Sequence, residues 1–193
     1  MTSRRRTDAT ENRARIVAAA RAVVSNATGE LKLKAVAESA GVGQGTLYRH
    51  FPTREDLLAE VYRHDVEELV AAAPALLAQH PPIKALSWWF HRVADYAQVK
   101  RGVFAAVEVA VWQDLSAHSM GPIGDALTTL LNAGKLEGTI RPDVDARDVI
   151  LLISYLTRID QGEWDARAHH LLGVIVDGLA LPSGNSNRAV KKI

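Results

Sequence analysis

Glycine, proline and polar turn residues divide this chain into segments of helical length, and this spacing limits its possible folds more than any other feature. Within the first segment Ile16, Ala19, Ala20, Val23 and Val24 recur at intervals of three and four, the periodicity of a helix with one buried face. No segment between turn signals alternates polar and apolar residues, so no strand is expected. The sequence predicts an all-α protein of about nine helices.

The breaks divide the chain at definite points. Thr53 and Asp56 have the spacing of a capping box at the start of the fourth helix, while Asp145 and Asp165 are expected to cap the last two. The predicted helices span about residues 10–25, 34–40, 44–50, 53–73, 83–99, 103–112, 122–134, 146–159 and 165–181. Residues 183–193 are polar and are predicted to be a disordered tail.

The composition excludes several classes of protein. Apolar residues make up 48% of the 193, which is enough for a filled core, and there is no cysteine. Disulfides and thiolate metal sites are therefore excluded, and a reducing cytoplasm is the expected location. Polar residues 7–12 stand where a signal peptide needs an apolar stretch, and the apolar run at 149–156 is too short for a bilayer. Neither export nor membrane insertion is predicted.

The charge is distributed unevenly along the chain. Residues 1–54 carry 10 basic and 4 acidic side chains, a net charge of +6, while residues 55–193 carry 13 basic and 18 acidic, a net charge of −5. A basic N-terminal part on an acidic remainder indicates that the N-terminal part meets a polyanion, although charge alone does not exclude chance.

Three residues between positions 33 and 51 have the spacing of a helix-turn-helix. This motif needs a small residue where its helices cross, a residue that tolerates positive φ in the turn, and an apolar anchor on the second helix. Ala37, Gly41 and Leu47 fill these three positions. We therefore predict a DNA-binding helix-turn-helix whose second helix enters the major groove.

With Leu47 and Phe51 buried, the other side chains of the second helix remain available for DNA. Glutamine pairs with adenine edges, threonine contacts a thymine methyl or a phosphate, and tyrosine and histidine donate to phosphate oxygens. A role for Tyr48 or His50 as an ordinary surface residue stays open. The predicted DNA-contacting set is Lys32, Lys34, Gln44, Gly45, Thr46, Tyr48, Arg49, His50 and Arg54, with Arg4, Arg5 and Arg6 as a basic arm for the minor groove or, alternatively, a solvated start.

Residues 37–51, AESAGVGQGTLYRHF, followed by PTREDLL, resemble the DNA-binding domain of tetracycline-repressor-like (TetR-family) regulators over about residues 10–62. The resemblance implies a homodimer of all-helical subunits, a small-molecule effector and a palindromic operator, with Thr46, Tyr48 and His50 at DNA-contacting positions. Arg54 stands where the family usually has a phosphate-binding lysine. Lys32 and Gly43 depart from the family, because they replace the usual hydroxyl caps of the second and third helices.

The sequence is therefore divided into four predicted segments: a basic flexible arm at 1–9, the helix-turn-helix domain at 10–54, an effector-binding and dimerisation domain at 55–182, and the tail. The resemblance implies the roles of the second and third segments. Aromatic residues are concentrated in the third of these. They either line an apolar effector cavity or form packed core. The candidate effector residues are Trp88, Trp89, Tyr96, Phe104, Glu108 and Trp112.

The last two predicted helices are apolar around more than one face. Such helices either lie inside the monomer or form a four-helix dimer interface, and the resemblance favours the dimer. The candidate interface residues are Leu152, Tyr155, Leu172, Ile175, Val176 and Leu179.

No convergent catalytic set, metal site or cofactor motif is found in the sequence, so an enzyme is not predicted. The adjacent residues His169 and His170 point about 100° apart on a helix and cannot chelate one ion together. The glycines at 41, 43 and 45 lack the preceding strand of a dinucleotide loop. We therefore predict a sequence-specific DNA-binding regulator. The resemblance implies a repressor that is released by a small-molecule effector, and the aromatic content indicates an apolar one; an architectural DNA-binding protein without an effector is the alternative.

Overall fold

Eight α-helices make up most of the chain that the structure, a computed structural model, describes: residues 2–25 and 31–182, with side chains described for 8–25, 31–108, 110–164 and 166–182. The helices are α1 (Thr2–Ser25), α2 (Leu33–Ser39), α3 (Gln44–His50), α4 (Arg54–Leu77), α5 (Pro82–Ala106), α6 (Val109–Leu136), α7 (Ala146–Ser154) and α8 (Trp164–Leu179). Two 3₁₀ turns, Tyr155–Arg158 and Gln161–Glu163, join α7 to α8. No strand occurs in these residues beyond one isolated bridge between Ile140 and Ala180, so the all-α prediction is confirmed.

Helices α5 and α6 differ from the sequence prediction. A break was expected at Arg101-Gly102, but α5 continues to Ala106, and α6 passes through Pro122. Proline inside a helix costs roughly 3 kcal/mol, and burial of Ile123, Leu127 and Leu130 on the same helix offsets that cost. The predicted sixth and seventh helices are therefore one helix, which lowers the number from nine to eight.

Other helix ends also differ from the sequence prediction. Helix α4 continues past Pro74 to Leu77, and α1 begins at Thr2, so the backbone of residues 2–9, predicted as a flexible arm, is helical. No proline or glycine interrupts this stretch. Helix α8 begins at Trp164, and its N-cap residue Glu163 makes no side-chain cap bond. The predicted cap Asp165 therefore lies inside the helix, and the tail at 183–193 lies outside the described residues.

The capping predictions for α4 and α7 are confirmed. Asp56 N donates to Thr53 Oγ1 over 3.0 Å while Thr53 N donates to Asp56 Oδ2 over 3.1 Å. Asp145 and Asp148 form the same reciprocal pair at the start of α7. These boxes satisfy backbone donors that a helix start otherwise leaves without partners.

Helices α1–α3 form an N-terminal unit, which we call the head, and α4–α8 form the body. Helix α4 packs on α1, α5 and α6, so it links the two units. Inside the body, Trp89 of α5 is fully buried and its Nε1 donates to the Leu69 carbonyl of α4 over 2.9 Å. One continuous apolar core runs through both units.

Ion pairs also join α1 to α4. Arg21 Nε donates to Asp65 Oδ1 over 2.6 Å, and Asp65 is almost fully buried. Burial raises the pKa of the Asp65 carboxyl, and the hydrogen bond from Arg21 opposes that rise. Arg13 pairs with Glu60, and this hydrogen bond holds the pKa of the Glu60 carboxyl below its ordinary value. The head is therefore fastened to α4 by charge as well as by apolar packing.

Candidate nucleic-acid interface and effector cavity

The turn between α2 and α3 has the geometry that the sequence predicted. Gly41 has φ 64°, the left-handed region that residues with a Cβ seldom occupy. Val42 N donates to the Ala37 carbonyl over 3.0 Å and Gly41 N donates to the Glu38 carbonyl over 3.1 Å. These bonds end α2 and turn the chain sharply into α3, so the helix-turn-helix is confirmed as a structure.

The three constrained positions occupy the expected places. Ala37 and Leu47 are buried where α2 and α3 meet, with Val36 beside them. Phe51 is also buried, and the Arg13 guanidinium of α1 lies 4.9 Å from its ring centroid. Helix α3 is therefore held by buried residues of the continuous core rather than by exposed contacts.

Neither α2 nor α3 has a side-chain cap. The N-cap residues Lys32 and Gly43 make no side-chain cap hydrogen bond. This is the structural result of the two departures from the family pattern. Glycine is a tolerable N-cap, so the effect at α3 is a few tenths of a kcal/mol, roughly.

The predicted DNA-contacting residues of α3 lie on its outer side. Gln44, Gly45, Tyr48 and Arg49 are exposed, while Thr46 and His50 are half-buried. Arg49 folds back along the helix: its Nε donates to the Gly45 carbonyl over 3.1 Å and its Nη2 to Thr46 Oγ1 over 3.0 Å. A positive charge therefore stands beside the first turn of α3, next to the polar residues expected to read bases.

The basic residues outside α3 are placed differently from one another. Lys32 and Lys34 are exposed. Lys34 Nζ lies 4.0 Å from Glu38 Oε1, but a salt bridge between such exposed side chains is too weak to fix the lysine in place. Arg54 is half-buried and lines a cleft between head and body. Its phosphate contact stays a prediction, as does the role of Arg4, Arg5 and Arg6, whose side chains lie outside the described residues.

A buried polar cluster lies in the body, where α4, α5 and α6 meet. The Tyr62 hydroxyl is 2.8 Å from the Tyr96 hydroxyl and 2.7 Å from Ser119 Oγ. Burial raises the pKa of the Tyr96 phenol, so this group stays a neutral hydrogen-bonding partner. A cavity of about 360 Å³ opens beside Tyr62 and Ser119, with Val66 and Leu115 in its wall. We call it the effector cavity. Sequence reasoning missed Tyr62 and Ser119, because neither lies in the aromatic-rich segment.

The six predicted effector residues do not form one group. Tyr96 belongs to the cluster, and Trp112 packs edge-on against both Tyr62 and Phe104, with ring centroids 5.4 and 5.3 Å apart. Trp89, by contrast, is core: it is fully buried and its indole N–H is already bonded. Trp88 is about half exposed on α5 and stacks with His80, and Glu108 is an exposed residue at the start of α6.

An apolar surface covers the outer side of α7 and α8. Two predicted interface residues belong to it, Leu152 at 56% exposure and Tyr155 at 67%. Ile175 and Val176 are half-buried at its edge, whereas Leu172 and Leu179 are buried within the subunit and are corrected to core. We call this surface the α7–α8 face; its exposed apolar members are Leu151, Leu152, Tyr155, Leu171 and Val174.

Metal-binding and membrane-spanning features are both missing from the part of the chain that the structure describes. Among the described residues, no group of three or more histidine, aspartate or glutamate side chains could hold a metal ion. No described helix is both long and apolar enough to cross a membrane.

A helix-turn-helix head on a helical body, with a cavity lined by the hydroxyl-bearing residues Tyr62 and Ser119, is typical of a two-domain transcription regulator. Residues 16–61 match the model of the bacterial regulatory proteins of the tetR family, and residues 81–181 match the C-terminal domain of SbtR-like transcriptional regulators. The chain belongs to the TetR family of transcriptional regulators, as its resemblance over residues 10–62 implied.

Solved structures agree with this assignment. The TetR transcriptional regulator SCO0520 from Streptomyces coelicolor is 37% identical, with a TM-score of 0.77 over 89% of this chain and 99% of the other. A TetR regulatory protein from Mycobacterium vanbaalenii is 31% identical, with a TM-score of 0.73 over 91% and 99%. A TetR-family regulator from Rhodococcus, 22% identical with a TM-score of 0.65 over 89% and 100%, shares the fold. No curated protein matches the chain.

Proposed function

We propose that this protein is a homodimeric repressor that reads a palindromic operator through α3 and leaves it when a small apolar effector binds the body. The observation that carries the DNA part is the outer side of α3, where Gln44, Tyr48 and Arg49 are exposed on a helix anchored by buried Leu47. A short helix that is anchored by a buried leucine and exposes hydrogen-bonding side chains fits a major groove.

Genomic affinity selection with the purified protein, followed by anisotropy on the selected DNA, tests this proposal. We expect a palindromic motif. Gln44→Ala should cost about 1–3 kcal/mol and relax the base preference at one position in each half-site. Lys34→Gln, a charge change without base readout, should weaken all sequences equally and lower the slope of affinity against salt by about 1. Weak enrichment over many sequences, lost at modest salt, would instead support an architectural protein.

The α7–α8 face supports the homodimer. Leu151, Leu152, Tyr155, Leu171 and Val174 are all more than 40% exposed, and they belong to α7, the 3₁₀ turn after it and α8, which contacts α7. Large apolar side chains left exposed on neighbouring helices are typical of a subunit interface. Two-fold pairing through it would place two heads on one operator.

Sedimentation of charge variants tests the dimer. Val174→Asp places a carboxylate in the middle of α8's exposed apolar side and should give monomers. Leu136→Asp is the matched control, since Leu136 is 90% exposed at the end of α6 and is not one of the residues of this face. Dimers that survive Val174→Asp as well as they survive Leu136→Asp would exclude this interface.

The effector cavity supports the ligand response. Its floor carries the hydroxyls of Tyr62 and Ser119, and its volume of about 360 Å³ suits a small molecule. Tyr62 lies on α4, the same helix whose Asp65 binds Arg21 of the head. A ligand that enters between Tyr62 of α4 and Ser119 of α6 and pushes these two helices apart would therefore move α4, and the head would follow.

A panel of small apolar alcohols, ketones and lactones, screened for release of the selected DNA, tests the response. Ser119→Ala should weaken release by a hit about tenfold while leaving affinity for DNA unchanged. Release that is the same in Ser119→Ala as in the parent protein places the effector elsewhere.

A further inference from the structure

A second cavity lies at the joint between head and body, and it shares no lining residue with the effector cavity. It measures about 750 Å³ and is bounded by the end of α1, the start of α4, the C-terminal part of α5 and the 3₁₀ turn after α7. We call it the junction cleft. Its apolar wall includes Val24, Leu31 and Ala105. The volume lies within the range of small-molecule sites.

Three arginines line the junction cleft: Arg54, Arg101 and Arg158. Among the described side chains, none of the three forms an ion pair. Asp160 also lines the cleft, so the described charges of the lining sum to a positive value. Three guanidinium groups around one cavity that holds a single carboxylate favour an anion there.

Arg101 is held in place by groups that leave its charge uncompensated. Its Nη1 donates to the Ile159 carbonyl over 2.6 Å, and its Nη2 donates to the side chain of Gln161. The guanidinium also lies 4.8 Å from the ring centroid of Trp164. All these partners are neutral, so Arg101 is a fixed cation at the wall of the cleft.

Arg54 supplies an independent observation. Its Nε is buried without a hydrogen-bond partner, and among the described side chains only Ser25 Oγ shares this condition. Ser25 ends α1, next to Val24 of the cleft wall. An unsatisfied buried polar group costs about 1–3 kcal/mol. Arg54 lines the cleft, so a ligand there with acceptor oxygens could bond its Nε.

We propose that the junction cleft binds an amphipathic oxyanion, a phosphate or carboxylate with a short apolar tail. Arg54, Arg101 and Arg158 would bind the oxyanion, and Val24, Leu31 and Ala105 would cover the tail. The site shares no lining residue with the effector cavity. Arg54 also belongs to the predicted DNA-contacting set, so the cleft is tested in the protein without DNA. A ligand there would touch α1, α4 and α5 at once and would fix the head against the body.

Calorimetric titration of the full-length protein without DNA tests the proposal. The probes are octyl phosphate, octanoate and 1-octanol, each below its critical micelle concentration, and inorganic phosphate. We expect at least one of the two octyl anions to bind tenfold or more tighter than 1-octanol and than phosphate alone. Whichever anion binds tighter identifies the head group.

Charge variants locate the binding. Arg54→Gln and Arg158→Gln should each weaken the tighter anion at least fivefold and leave 1-octanol unchanged. Lys84→Gln, which removes one exposed positive charge from the first turn of α5 outside the cleft, should bind like the parent. If Arg54→Gln does not fold, as judged by its thermal transition, Arg158→Gln decides alone. Anions that bind no better than 1-octanol, or that bind all foldable variants equally, overturn the proposal.

Discussion

Replacing Gly102 by alanine should destabilise the protein, although the same change elsewhere in a helix stabilises one. Gly102 lies inside α5, where it meets the end of α1. A β-carbon built there would overlap the carbonyl oxygen of Val24 and would lie 2.5 Å from Val24 Cγ1 and 3.1 Å from its carbonyl carbon. Carbon atoms pack at roughly 3.5–4.0 Å, so the two helices must separate by about 1 Å.

The size of the effect follows from two opposing contributions. Alanine is favoured over glycine inside a helix by about 1 kcal/mol. Overpacking against a neighbour typically costs about 1–3 kcal/mol, and the upper part of that range applies because the obstructing atoms include backbone. We expect a net loss of about 1–2 kcal/mol in the free energy of unfolding.

Urea unfolding of Gly102→Ala beside Gly124→Ala measures this difference. Gly124 also lies inside a helix, and a β-carbon there would meet only Ile150 Cδ1 at 3.8 Å, an ordinary contact. Gly124→Ala should therefore gain about 0.5–1 kcal/mol. The reasoning is refuted if Gly102→Ala gains as much as its control, because α5 would then not press on the end of α1. Operator affinity, measured by anisotropy, should fall in Gly102→Ala alone, since only this change moves the head.

Three further changes test other parts of the structure. Tyr62→Phe removes the hydroxyl that bonds Tyr96 and should cost about 1–3 kcal/mol in urea unfolding; no loss would show that the cluster is not formed. Thr53→Ala removes the capping box of α4 and should cost about 1 kcal/mol, read from the same transition, and an unchanged midpoint would contradict the box. Glu60→Gln tests the lowered pKa of Glu60, whose ordinary value is 4.5. The bond between Glu60 and Arg13 should contribute up to about 1 kcal/mol to the free energy of unfolding above pH 4.5. This contribution should be lost as the pH falls through the lowered pKa of folded Glu60, so the free energies of unfolding of parent and variant should converge in acid. A difference between them that persists at pH 2 would contradict this origin.

The helix-turn-helix was readable from the sequence because its constraints are local. A small residue, a residue with positive φ and an apolar anchor fall within eleven positions, and Ala37, Gly41 and Leu47 satisfy them through contacts between neighbouring helices. The capping boxes at Thr53 and Asp145 were readable for the same reason, since both partners lie within one turn.

The predicted helix boundaries were wrong where a contact between residues far apart in the sequence overrides a local preference. Gly102 and Pro122 normally interrupt helices, yet α5 and α6 pass through them. Glycine fits at position 102 because Val24 of α1 lies too close for a β-carbon. Pro122 is tolerated because buried residues follow it on α6. The sequence carries no local sign of either contact.

The sequence by itself determined the all-α class, the DNA-reading helix and its family, because each depends on periodicity or on residues within one or two turns. Tertiary structure decided which apolar residues are core and which are surface: Leu172 is buried and Leu152 is exposed, although both stand in equally apolar runs. It also decided that Tyr62 meets Ser119, and that Arg54, Arg101 and Arg158 line one cleft. These groups lie more than forty residues apart, and only the packing of α4, α5 and α6 and of the head on the body brings them together.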